Sequence, residues 1–363
     1  MKKYFSTLLL ILNICLVVTS CGSDENSDDH IYTPQIKDIS IIPDKFNLIL
    51  SENPEEQDSV TFKVNSNLGV DITATSRFFV NDTEIESNIF IPNEIGTFQV
   101  YAKYSDTGSG RELTTDTVTI NVLTDTDELY YRHKVLVEDF TGTWCGWCTR
   151  ILYALEIIKN QTNNVIPVAI HNNDEFDYPG RQPLEDYLMI EGAYPFAVIN
   201  RKMIWNTPQH NNVSQPINQI LPESPIGIKI NSSLGNSSGT VDLSFSFKET
   251  ISDNLSYAVY IIENDLVADQ KNYNGDLYGG VPVLYGFVHN HTVRGVYGNI
   301  IGNNLGQNAT QGSEITLSNL AINYTCENAN KLQVVAFIMN SQGKVLNVQI
   351  ANGNELKDYE YAN

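Results

Sequence analysis

The stretch Trp144-Cys145-Gly146-Trp147-Cys148 stands between two contrasting patterns. Before it, Val135-Leu136-Val137 opens an apolar run that ends near Phe140. After it come Ile151, Leu152, Leu155, Ile157 and Ile158 at helical spacing. Strand, turn and helix are therefore expected in that order, the setting in which a CxxC pair reads as a redox motif. At a helix start, Cys145 would face unpaired backbone N–H groups and the positive end of the helix dipole, which favour its thiolate. Cys148 falls three residues on, on the same helix face, where it can resolve a mixed disulfide formed on Cys145.

Two further features suit such chemistry. Asp139 lies on the preceding strand, where a buried carboxyl would have a raised pKa and accept the proton of Cys148. Tyr194-Pro195 opens the apolar run Phe196-Ala197-Val198-Ile199 with a proline at the strand start, where no ladder hydrogen bond is lost. The pair has two other readings, a static disulfide and half of a zinc site. Zinc is disfavoured because structural sites need four ligands and no second CxxC exists, so no metal or other cofactor is assigned.

Working outward, Val165 to Ile170 is a buried strand, Leu184 to Ile190 a helix and Pro195 to Ile199 another strand, which predicts a central α/β domain over 130–222. Residues 32–123 give short alternating runs such as Val60, Phe62 and Val64, and predict an N-terminal β-sandwich of immunoglobulin-like size. Alternation returns over 226–352 and predicts a C-terminal all-β domain, sandwich or jelly-roll-like, with a hairpin turn at Asn340-Ser341-Gln342-Gly343.

The first 20 residues combine Lys2-Lys3, the apolar run Leu8 to Val18 and small polar residues, a signal peptide too short to span a membrane. Val18-Thr19-Ser20-Cys21 resembles the lipobox of bacterial lipoproteins, which implies lipidation at Cys21 and an acidic tether over 21–31. Of five cysteines, Cys15 leaves with the signal and Cys21 takes the lipid, so Cys145, Cys148 and Cys326 remain for the folded part. Hydrophobic residues at 42% and charged ones at 18% exclude a disordered acidic tail. A net charge of −21 would repel phosphate backbones and excludes nucleic acid as a partner.

Residues 135 to 202 resemble a thioredoxin-like domain through Val137-Glu138-Asp139-Phe140, the Trp144–Cys148 motif and Tyr194-Pro195. The resemblance implies that Cys145 is the nucleophile, Cys148 the resolving thiol and Asp139 the proton acceptor. Pro195 would be a cis-proline beside which substrate docks, with Trp144, Trp147 and Tyr194 lining the same groove. Trp147 is a departure: it stands where that superfamily usually has proline or histidine, offers the thiolate no cation and leaves the direction of the redox reaction unassigned. From about Lys134 to Ile350, with Ala268-Asp269-Gln270 and Phe287-Val288-His289-Asn290-His291-Thr292-Val293-Arg294, the chain also resembles the outer membrane protein twenty-eight family, which implies outer-membrane association. The expectation is an outer-membrane-anchored lipoprotein, displayed at the cell surface or facing the periplasm, that exchanges disulfides with extracytoplasmic proteins. The alternative is a non-catalytic surface binding or adhesion lipoprotein that keeps the fold as scaffold and the cysteines as a staple.

Four remaining features are weaker. His289 and His291 would share one face of a strand, as packed residues or as metal ligands without an evident third partner. The stretch His171 to Asp177 reads as a solvated loop, and Cys326 as a buried small apolar residue. Trp205 belongs to core or groove, with nothing to decide between them.

Overall fold

Alternation at Val60, Phe62 and Val64 turns three side chains to one side of a strand, and all three are buried. In the computed structural model of the chain, which describes residues 35–362 apart from 52–56, 109, 125–128, 191, 307 and 308, they enter a core between two sheets. One sheet is built from Ile39–Pro43, Val60–Ser66 and Ile89–Phe90. The other has six strands, with Gly96–Asp106 near its middle. Val100, Ala102, Ile120 and Val122 close the core from the second sheet, completing a β-sandwich. The expected signal, the lipidation at Cys21 and the acidic tether lie outside the described residues.

The central segment corrects the sequence-based expectation of a separate α/β thioredoxin-like domain over 130–222 followed by a separate C-terminal β domain over 226–352. Strands make up 47% of the structure and helices 11%, so the fold is an all-β assembly of several sheets. Val135–Thr141 and Val165–His171 do pair in parallel, with Phe196–Ile199 antiparallel on the other side of the first. Their sheet does not end there. It runs on through Thr292–Val296, Ser256–Glu263, Leu332–Met339 and Val345–Asn352 to nine strands in all. Parallel contact with Thr292–Val296 is a single register pair, Ala169 with Thr292, and the far strands are all antiparallel. Strand, turn and helix are local signals. Which strand lies beside Val165–His171 is decided more than 100 residues downstream, and this overturned the expectation.

The far strands explain their apolar runs by being covered on both faces. Tyr257, Val259 and Ile261 point with Val334, Ala336 and Ile338 into a core shared with a four-stranded sheet that contains Ile226–Leu234 and Ser238–Phe247. Ala258, Tyr260 and Ile262 point with Val335, Phe337 and Met339 into a second core, which also takes Leu136, Phe140 and Ile166. The Asn340–Gly343 turn joins Leu332–Met339 to Val345–Asn352.

One helix matters for the site. Thr149–Lys159 buries Ile151, Ala154, Ile157 and Ile158 against Val135, Val137 and Trp205, which resolves Trp205 as core. On the other face of the sheet, Glu138 pairs with Arg201 at 2.9 Å, both side chains fully buried. Arg201 also donates to the carbonyls of Ile300 and Ile301.

Candidate active site

Cys145 and Cys148 form a disulfide, with their Cα atoms 5.4 Å apart. The helix begins at Thr149 with Cys148 as its N-cap, so Cys145 stands one turn ahead of the first helical residue. Backbone bonds from Cys145 N–H to Gly142 O and from Cys148 N–H to Cys145 O wind the intervening chain into tight turns. Both cysteines are buried, Cys145 at 4% exposure and Cys148 at none.

Aromatic side chains surround this turn. Trp144 and Trp147 are 40% and 49% exposed, large values for tryptophan. Trp144 donates its indole N–H to Asn172 O at 2.6 Å, and its ring lies 5.6 Å from that of Tyr194. This contact brings the Tyr194-Pro195 segment beside the cysteine turn, and the peptide bond between those two residues is cis. Tyr194 donates its hydroxyl to Glu185. Of the expected groove residues, Trp144 and Tyr194 thus meet directly, whereas Trp147 sets its ring edge-on to Tyr273, 6.0 Å away.

Asp139 is fully buried on Val135–Thr141, and neither of its carboxylate oxygens has a hydrogen-bond partner. Burial pushes its carboxyl well above the usual range. When ionised, such a group is a stronger base than an exposed carboxylate.

The stretch His171 to Asp177 is solvated only in part, with Asn173 and Glu175 exposed but His171 and Phe176 buried. The Asp174 side chain is buried, accepts the Thr143 N–H at 2.8 Å and the Phe176 N–H at 2.9 Å, and lies 2.7 Å from His171 Nδ1. Burial alone would raise the Asp174 carboxyl, but the His171 contact and the two N–H donors hold it below its usual value. Thr143 also donates its hydroxyl to Glu175 at 3.1 Å. The loop therefore clamps the turn that leads to Cys145. A polar run carries no sign of which backbone it will meet, so the sequence did not reveal this.

A second set of residues missed from the sequence comes from a hairpin of Leu266–Lys271 and Val283–His289. Gln270 donates to the carbonyl of Cys145 at 3.0 Å, and Lys271 N–H to that of Thr143 at 2.9 Å. Tyr273 N–H reaches Gly146 O at 2.9 Å, while Thr149 donates to Asn272 at 2.9 Å. A Cβ on Gly146 would stand 2.4 Å from the Tyr273 ring, so only glycine fits beneath it. Gln270 belongs to the Ala268-Asp269-Gln270 stretch, whose sequence signal was family resemblance alone.

His289 and His291 serve different surroundings. The His289 ring packs 5.4 Å from His171 and 5.3 Å from Phe176. His291 sits in a turn at φ 61°, and burial lowers the pKa of each imidazole to about 4. Among the described residues no group of three or more His, Cys, Asp or Glu side chains is placed to hold a metal ion. Cys326 is half-buried rather than sealed, and its thiol donates to Asn236 O at 3.0 Å.

Residues 183–357 match the family model described as outer membrane protein Omp28, and this supports an outer-membrane location. The matched region begins after the cysteine pair and includes the hairpin that covers it. No curated protein matches the sequence. Among solved structures, HBP35 of Porphyromonas gingivalis is similar at 18% identity and a TM-score of 0.45, over 64% of this chain and 78% of that one. A putative membrane anchored protein from Corynebacterium diphtheriae gives 10% identity and a TM-score of 0.18, over 89% of this chain and 58% of that one. Overlaps this shallow carry no argument about fold or activity.

Proposed function

We propose that the protein is an outer-membrane lipoprotein, anchored through Cys21, whose Cys145–Cys148 pair exchanges disulfides with extracytoplasmic proteins. The observation that carries this reading is the placement of two joined cysteines at a helix start, with an unpartnered buried acid, Asp139, on the strand before them. From the dithiol state, the Cys145 thiolate attacks one sulfur of a partner disulfide. A new S–S bond forms, and the partner's other sulfur leaves as a thiolate that takes a proton from water. Cys148 then gives its proton to Asp139 and attacks Cys145 Sγ, which closes the internal disulfide and releases the partner's first sulfur. The partner gains two electrons and the cysteine pair loses them. The reverse sequence starts from the internal disulfide and oxidises a partner dithiol. Trp144, Trp147, Tyr194 and Pro195 would form the surface on which a partner chain lies.

The experiment is turbidimetric insulin reduction with dithiothreitol, comparing the parent with Cys145→Ser and Cys148→Ser. Acceleration by the parent and its loss in Cys145→Ser is the expected result; equal rates would remove Cys145 from the mechanism.

A second reading rests on a specific observation: Tyr273 and its hairpin roof the turn, leaving Cys145 at 4% exposure. On that basis the protein is a non-catalytic surface binding or adhesion lipoprotein, and the disulfide is a staple. A pair that remains oxidised in a reducing glutathione buffer, with a potential below about −300 mV, would select this alternative.

A further inference from the structure

The strand Val165–His171 pairs along its whole length with Val135–Thr141 on one side. On the other side it meets Thr292–Val296 only at Ala169. From Val165 to Val168 the sheet is therefore split, and Pro167 in that stretch has no N–H to offer a neighbour. The split opens a cleft of about 410 Å³ beneath the Thr149–Lys159 helix, within the range of small-molecule sites. Leu155 and Ile158 form the helix wall, Val165 belongs to the strand edge and Phe287 to the hairpin base.

Asp139 and His291 also line this cleft, 152 residues apart in the chain. Neither oxygen of Asp139 has a hydrogen-bond partner, and neither does His291 Nδ1. Two buried polar groups left unpaired at one cavity call for a shared partner, because such groups are satisfied in native proteins by protein, water or ligand. Burial favours the uncharged form of both, raising the Asp139 carboxyl and lowering the His291 imidazole to about 4. An ionic head group would thus meet no opposite charge at the floor. The charged residues at the cleft have both signs, Glu156 and Glu360 with Lys134, Lys159 and Lys357, and Glu360 pairs with both Lys134 and Lys357, so they give no preference for an ion.

We infer that this cleft binds an uncharged small molecule with an apolar body and a hydroxyl or amide head, the head lying between Asp139 and His291. In its protonated form the Asp139 carboxyl can donate to the head-group oxygen, while the head group donates its own hydrogen to His291 Nδ1 or to the carboxyl C=O oxygen. The inference does not rest on disulfide exchange, although it shares Asp139 with that proposal.

The test is equilibrium titration of the disulfide-intact protein, without added thiol, by 2-naphthol, naphthalene and 2-naphthoate, each followed by its own fluorescence. These probes share one ring system and carry a neutral hydroxyl, no polar head and a charged head. Saturable one-to-one binding of 2-naphthol is expected, at least tenfold tighter than either of the others. Leu155→Trp, which fills the cleft from the half-buried face of the helix, should weaken 2-naphthol at least tenfold, and His291→Phe should bring it to the naphthalene level. No saturable binding, equal affinity for 2-naphthol and naphthalene, or unchanged binding in folded Leu155→Trp would each overturn the inference and mean that the polar floor holds only water. Because no thiol chemistry is read, failed insulin reduction leaves this result unaffected.

Discussion

Tyr273 lies directly over Gly146, its backbone N–H bonded to the glycine carbonyl at 2.9 Å and its ring in the space a side chain at 146 would need. The hairpin loop thus meets the cysteine turn at its one residue without a Cβ. Gly146→Ala should displace Tyr273 and cost about 1–3 kcal/mol in urea unfolding, as overpacking usually does. Reduction of the disulfide by dithiothreitol should become faster at the same time. A folded Gly146→Ala protein reduced at the parental rate would show that the hairpin does not limit access to Cys145.

Asp139 provides a pH signature. Its folded carboxyl is raised above the unfolded value of about 3.9, so the folded state prefers the protonated form. The stability linked to that proton is complete below pH ~3.9 and is lost as pH rises through the folded pKa. Asp139→Asn removes the titration. The variant should gain on the parent by up to about 1.4 kcal/mol per pH unit across that window, with little difference below it. Thermal melts from pH 4 to pH 9 measure the difference, and a flat profile would mean that the carboxyl ionises as an exposed one does.

Arg201 and Glu138 form an ion pair with no exposure on either side. Arg201→Met would leave the buried Glu138 carboxylate without its cation, held by the Tyr260 hydroxyl at 3.0 Å, at a cost of about 3–5 kcal/mol. Urea denaturation should show this loss, and adding Glu138→Gln should recover part of it. Additive losses in the double variant would mean that the two side chains act independently.

Asp174 holds the approach to the cysteines through the N–H groups of Thr143 and Phe176. Asp174→Ala strands both donors and should destabilise the fold by roughly 1–3 kcal/mol per unpaired group. Hydrogen exchange at the Thr143 amide should accelerate with it. Unchanged protection there would assign the clamp to the other contacts of the loop.

Sequence alone determined what depends on near neighbours. The apolar spacing of Ile151, Ile157 and Ile158 identified a helix directly after Cys148, and alternation at Val60, Phe62 and Val64 identified half-buried strands. The three-residue separation of the cysteines was enough to expect their pairing geometry, and Asp139 was legible as a strand carboxyl between apolar residues.

Tertiary structure decided what depends on distant partners. No local pattern marks Val165–His171 as lying beside Thr292–Val296 at one register pair, yet that pairing merges the segments into one nine-stranded sheet and opens the cleft at Asp139. Gln270 and Tyr273 became part of the cysteine turn through backbone carbonyls, which carry no side-chain identity for a sequence to display. The periodicity of a segment reports which faces are apolar, whereas the choice among possible covers is made by packing of the whole chain.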